Sequence, residues 1–129
     1  MIMAIEIRLE RVEGCRKPPA GAFLVDGKWP RGLPRSALAA GHWLPRVMPT
    51  EELVAWMRLQ PLRWSTFCDI YWADMSNNPA RWKPLLDAME QGGLVLLHSG
   101  EADERSPVRA LADFLLARYR GRHAEGAEA

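Results

Sequence analysis

Along residues 3–9 apolar and charged side chains alternate: Met3, Ile5, Ile7 and Leu9 on one side, Glu6, Arg8 and Glu10 on the other. A period of two predicts a half-buried strand. After a turn-rich stretch from Gly14 to Gly21, Ala22-Phe23-Leu24-Val25 is a continuous apolar run. Such a run predicts a strand covered on both faces. Asp26-Gly27 stops it, and Pro30, Gly32 and Pro34 keep the segment from Lys28 to Arg35 irregular, because none of them sustains a ladder.

From Ser36 the pattern turns helical. Ser36 caps a short predicted helix reaching Gly41 or Leu44. Thr50 is a second cap, with Glu51 and Glu52 at the positive end of the helix it opens. That helix presents Leu53, Trp56, Met57 and Gln60, and Pro61 ends it. Over 61–75, Trp64, Phe67, Cys68, Tyr71, Trp72 and Met75 recur at i, i+3, i+4, i+7, i+8 and i+11, one apolar stripe. Asn77-Asn78-Pro79 closes it and opens a helix carrying Trp82, Leu85, Leu86 and Met89, in which Pro84 forces a kink or a restart. Gln91-Gly92-Gly93 precedes a second continuous run, Leu94 to Leu97, which stops at His98-Ser99-Gly100. Beyond the polar loop from Glu101 to Arg105, Ser106-Pro107 sets a cap before a proline at the first helical position. Val108, Leu111, Ala112, Leu115 and Tyr119 make the last amphipathic helix, which Gly121 ends.

Two buried-type strands separated by helices predict an α/β fold. The expected sheet is small and mainly parallel, of about three strands, packed with four to six helices in a single compact domain. That domain covers 1–120, and 121–129 form a frayed tail. The length of 129 residues fits one core. In such sheets ligands sit beyond the carboxyl ends of the strands. Two loops qualify, Asp26 to Arg31 and His98 to Ser106, and they share a crevice if their strands are neighbours.

Charge and composition narrow the classes. Lys and Arg number 17 against 16 Asp and Glu, a net charge of +1, so nucleic acid is disfavoured as a partner. No apolar run reaches the roughly 20 residues of a membrane span, and Glu6 interrupts any export signal. Cys15 and Cys68 form neither a disulfide framework nor a metal spacing, which fits a cytoplasmic protein. No nucleotide fingerprint is present and the three histidines lack ligand spacing, so no cofactor and no metal are expected. A small-molecule ligand and a second copy of the chain remain as partners.

The ligand-binding candidates are Asp26, Lys28, Trp29, Arg31, His98, Ser99, Glu101 and Ser106. Asp26 can orient a cation or accept a proton while Arg31 offers a planar fork to an anion. Structurally, Asp26 caps its own turn and pairs with Arg31. Trp29 either stacks on a ligand or plugs the end of the sheet, and the plug predicts a largely buried indole. The helix start at Ser106 can receive an anion, although Pro107 removes an amide and Glu101, Asp103 and Glu104 crowd the loop with negative charge. His98 is an acid–base candidate or a hydrogen-bonded strand-end residue, whereas His42 and His123 read as exposed. Cys68 reads as a small buried hydrophobe, and Cys15, in a basic loop, as the more reactive thiol. Trp56, Trp64, Trp72 and Trp82 read as core.

The stretch Leu24-Val25-Asp26-Gly27-Lys28-Trp29-Pro30-Arg31-Gly32 resembles the LVDRLWPRG signature of the YeaO-like proteins, a family known as domain of unknown function 488. Trp43-Leu44 with Pro49-Thr50-Glu51-Glu52-Leu53, the pair Phe67 and Tyr71, Leu94 to Ser99, and Ala110 to Leu115 extend the similarity over roughly residues 7–117. The family is small, cytosolic and bacterial or archaeal, and the resemblance implies relatives rather than a reaction. Departures from its pattern are concentrated in polar positions. Val54 and Cys68 replace arginines, Glu101 replaces a lysine, and Ser106-Pro107 replaces a polar pair ending in histidine. These losses imply a divergent member in which the family's activity is absent or weakened, acting as a small-ligand pocket or as a non-catalytic interaction module. On its Glu101 side the pocket is expected to prefer a neutral or cationic ligand.

Overall fold

The computed structural model describes residues 5–127 apart from 14, 16 and 101. Three strands, β1 (Ile7–Arg11), β2 (Phe23–Leu24) and β3 (Leu94–His98), form one sheet in the order β1-β3-β2. Both pairings are parallel, with Leu9 opposite Leu96 and Leu24 opposite Leu97. The first strand begins later than its alternation suggests, because its partner sets its start. Leu94 is the first residue of β3, it stands opposite Ile7, and its amide donates to the Glu6 carbonyl. Met3 and Ala4 lie outside the described residues.

Four helices follow the sequence pattern: α1 (Glu51–Leu59), α2 (Trp64–Ser76), α3 (Lys83–Glu90) and α4 (Pro107–Ala127). Thr50 Oγ1 accepts from the Leu53 amide and caps α1. Pro61–Arg63 and Pro79–Arg81 are single 3-10 turns, so the helix expected from residue 61 starts at Trp64. Pro84 falls in the first turn of α3, where its missing amide has no partner to lose, and the helix restarts there.

The sheet separates two apolar clusters. Phe23, Leu94 and Leu96 face a large core with Phe67, Tyr71, Met75, Leu85, Met89, Leu111 and Leu115. The opposite face packs Val12, Ala22, Leu24 and Leu97 against Leu33, Trp29 and Trp43 from the segment after β2. Of the tryptophans expected in the core, Trp82 is buried there and Trp56, Trp64 and Trp72 pack partly buried against it, and the ring nitrogens of Trp72 and Trp82 tie helices together. Trp72 Nε1 donates to the Ala110 carbonyl of α4 at 3.0 Å, and Trp82 Nε1 to the Met75 carbonyl at 2.7 Å.

Three expectations are corrected. Residues 36–44 hold only one 3-10 turn, Arg35–Ala37. The rest is drawn out because the Leu24 amide donates to the His42 carbonyl and the Leu44 amide to the Leu24 carbonyl, so backbone pairing overrides local helix preference. His42 is not exposed but partly buried, stacked on Phe23 at 4.0 Å between centroids. The last helix continues through Gly121 to Ala127. A mid-helix glycine costs only about 1 kcal/mol against alanine, and Arg122 gains an ion pair with Glu90 of α3 at 3.7 Å while His123 Nε2 lies in hydrogen-bond contact with the same carboxylate at 3.1 Å. Among the described residues no helix is long and apolar enough to cross a membrane.

Candidate functional site

Parallel pairing delivers the residues after each strand to one edge of the sheet, so the Asp26 and Ser99 loops do share a crevice. Asp26 Oδ1 accepts from the Ser99 amide at 3.1 Å. Glu13, after β1, makes the neighbouring contact, and its two oxygens accept from the Gly100 amide at 3.0 and 3.2 Å. Arg11 also donates to Glu13. The Arg11 guanidinium, and after it the Gly100 amide, holds the Glu13 carboxyl below its ordinary range. Two carboxylates on consecutive amides thus fasten the loops after all three strands.

This wall stands between two recesses. The larger, about 940 Å³, lies between Asp26, Lys28 and Ser99 on one side and Arg46, Thr50, Val54 and Arg58 on the other, with Pro107 and Val108 from the start of α4. The smaller, about 520 Å³, is lined by Glu13, Cys15, Trp29, Arg31 and again Asp26, Lys28 and Ser99. A third recess, about 680 Å³, lies at the other end of the strands by Gly93 and Leu94, and none of the sequence candidates among the described residues lines it.

The expected pairing of Asp26 with Arg31 is absent among the described residues. Arg31 is exposed, and the Asp26 carboxylate is directed to the Ser99 amide instead. Trp29 is partly rather than largely buried. Its Nε1 donates to the Leu33 carbonyl at 2.7 Å, its ring meets the edge of Trp43 at 5.4 Å, and the Arg35 guanidinium covers it at 4.6 Å. The plug is therefore Trp29, Trp43 and Arg35 together. Trp43 Nε1 donates to the Asp26 carbonyl at 2.8 Å, which fixes the backbone from which the carboxylate projects.

His98 is 1% exposed. Strand alternation puts it on the helix-covered face with Leu94 and Leu96, under the recess rather than in its lining. Its Nδ1 lies 3.2 Å from the Ser99 carbonyl oxygen, and its Nε2 has no partner among the described residues. Ser106 is buried with its hydroxyl donating to the Asp103 carbonyl, while its own carbonyl accepts the Arg109 and Ala110 amides and starts α4. Glu101 lies outside the described residues. Among the described residues no three His, Cys, Asp or Glu side chains gather to hold a metal.

Charge in the larger recess is uneven. Arg81 pairs with Asp74 at 2.9 Å. Lys28, Arg46 and Arg58 remain, facing Glu51 and the already bonded Asp26. The sequence reading missed Arg46 and Arg58, because nothing local distinguishes them from solvated arginines. It missed Glu13 because the order and direction of β1 were not legible. Of the departures from the family pattern, Val54 and Pro107 fall in the lining of this recess. Cys68 is 5% exposed in the core, where burial, followed by the charges of Asp113 and Asp69, pushes its thiol up to about 11.

Comparisons with known proteins identify the chain's relatives. A family model described as "Inactive DUF488-N3 subclade" matches residues 6–129. The chain is 30% identical over 93 residues to the uncharacterized protein YeaO of Escherichia coli, covering 72% of this chain and 81% of that one. It is 31% identical over 81 residues to the uncharacterized protein Mb3100c of Mycobacterium bovis, covering 62% and 69%. No solved structure matches. With a family model spanning nearly its whole length, the chain belongs to the DUF488-N3i family and is a YeaO-like DUF488 protein.

Proposed function

We propose that this protein is a non-catalytic member of its family whose larger recess holds a small anion without transforming it. The observation that carries the reading is the position of Val54 and Pro107. Both line the recess, and neither has a group that can move a proton or carry charge where the family pattern has an arginine and a histidine. The groups that persist support a structural use. The Asp26 carboxylate bonds the Ser99 amide, and His98 is sealed beneath. The description of the matching family as an inactive subclade supports the same reading.

Lys28, Arg46 and Arg58 supply the anion preference, since guanidinium groups offer paired donors to carboxylate or phosphate. Glu101, two residues after Ser99 in the sequence, carries the opposite charge, so a Glu101→Lys substitution is expected to strengthen anion binding. The unpaired thiols Cys15 and Cys68 support a reducing compartment, the cytoplasm. A second reading, an interaction module, draws support from Leu59 at the end of α1 and Leu62 in the turn before α2, which stand 80% and 94% exposed.

The test is a thermal-shift titration with inorganic phosphate and a short dicarboxylate. Stabilisation that saturates, and that falls at least fivefold in apparent affinity in an Arg46→Ala/Arg58→Ala variant, is expected. No stabilisation, or stabilisation unchanged in that variant, removes the anion from the reading.

A further inference from the structure

The two edges of the sheet are finished differently. The outer edge of β2 is closed by the chain itself, since Leu24 exchanges backbone bonds with His42 and Leu44. β1 is the other edge, and its only strand neighbour among the described residues is β3. On β1 the even-numbered residues bond inward: the Glu6 carbonyl accepts from the Leu94 amide, and the Val12 amide donates to the His98 carbonyl. Strand alternation then turns the amide and carbonyl of Ile7 and Leu9 outward, away from β3. Ile5, Ile7 and Leu9 also remain only partly buried although they pack against the large core.

We propose that a second copy of this chain pairs antiparallel along this edge, about a two-fold axis through Leu9. The central residues of β1, Arg8-Leu9-Glu10, are self-complementary in that register. Leu9 meets Leu9 of the second copy as a hydrogen-bonded pair, in which each residue donates to and accepts from the other. Arg8 falls opposite Glu10 of the second copy, and Glu10 opposite its Arg8. Both are non-hydrogen-bonded pairs, the kind whose side chains approach most closely. Arg8 and Glu10 already lie 2.6 Å apart within one chain with half-exposed side chains, so a second copy extends that pair into a four-charge cluster. On the core face the partly buried Leu9 of each copy gains the other Leu9 as an apolar neighbour and lies diagonal to Ile7, while Ile7 stands directly opposite the long aliphatic stem of Arg11.

Charged side chains on an edge usually block pairing. Here they select a register. Moving the second copy by two residues in one direction sets Arg8 against Arg8 and Glu6 against Glu10. Moving it by two in the other sets Glu10 against Glu10. Either slip juxtaposes like charges, which destabilises a cross-strand pair. The product is an isologous dimer with one continuous sheet, as closed two-fold assemblies require. The larger recess has no residue of β1 in its lining, so the inference is independent of the proposed anion site.

Sedimentation equilibrium of the full chain over a hundredfold concentration range tests it. A reversible dimer is expected. Arg8→Glu alone should weaken self-association at least tenfold, and Arg8→Glu with Glu10→Arg should restore it to within about threefold of the unmodified chain. Circular dichroism melts of each variant separate lost association from lost folding. A chain that is monomeric throughout overturns the inference, and so does a dimer indifferent to Arg8→Glu or one that the double exchange fails to restore.

Discussion

The two faces of the sheet are stabilised in different ways. The helix-covered face is a continuous apolar core in which Phe67, Leu85, Met89, Leu96, Leu111 and Leu115 are fully buried. The loop-covered face has a small cluster, and its segment from Lys28 to Leu44 is held by specific polar anchors. Trp29 bonds Leu33, Trp43 bonds the Asp26 backbone, and Arg35 lies over both indoles. Area burial is non-directional and sets no requirement on individual donors. An anchored loop depends on individual donors, and Trp29, in the stretch that carries the family resemblance, is one of them. A retained residue is therefore not evidence of retained chemistry. Trp29 and Asp26 have structural reasons to stay, whereas Val54 and Pro107 stand in the adjoining recess with no such anchoring role.

This contrast can be broken most severely on the helix side. Phe67→Ala should cost about 3–5 kcal/mol in chemical denaturation, the range for a large aromatic removed from a packed core. On the loop side Trp29→Ala should cost less, about 2–3 kcal/mol, because the indole is only partly buried. Equal losses would erase the distinction between the two faces. Asp26→Ala should cost about 1 kcal/mol, since it removes one exposed hydrogen bond to the Ser99 amide that water can replace. Arg31→Ala should fall within about 0.5 kcal/mol of the unmodified chain, and a larger loss would return Arg31 to a wall-building role.

The thiols give the smallest effect and a sign that can be checked. Burial raises the Cys68 thiol from 9.0 to about 11, so the folded state keeps its proton where the unfolded chain releases it. Its contribution to stability is present below pH 9 and is lost as the pH rises through about 11. At pH 8 a thiol reagent should modify Cys15 quickly and Cys68 only on the timescale of opening. Fast labelling of Cys68 in the folded chain would remove it from the core.

Much of the helix side was legible because 3.6-residue periodicity records a buried face directly. The stripe from Trp64 to Met75 and the Thr50 cap appear where the pattern puts them. The loop side was less legible because its determinants are long-range. Nothing near Ser36 announces that His42 and Leu44 will pair with Leu24, and local helix preference gave way to that pairing. The same reason hid Glu13, whose partner Gly100 comes from the far end of the chain. Asp26 and Ser99 were placed together because parallel neighbours share a carboxyl edge. Arg31 is near Asp26 in sequence but points to solvent, because the Asp26 carboxylate is already satisfied by the Ser99 amide.

The central claim, a recess that keeps its shape without its chemistry, is tested most directly by mass spectrometry of what the protein retains. The protein is equilibrated with a mixture of small metabolites, separated from the unbound fraction, and sampled over several hours. We expect acidic molecules to be enriched and to be recovered with unchanged mass. Steady conversion of a bound molecule, abolished by Asp26→Asn while the fold persists, would contradict it.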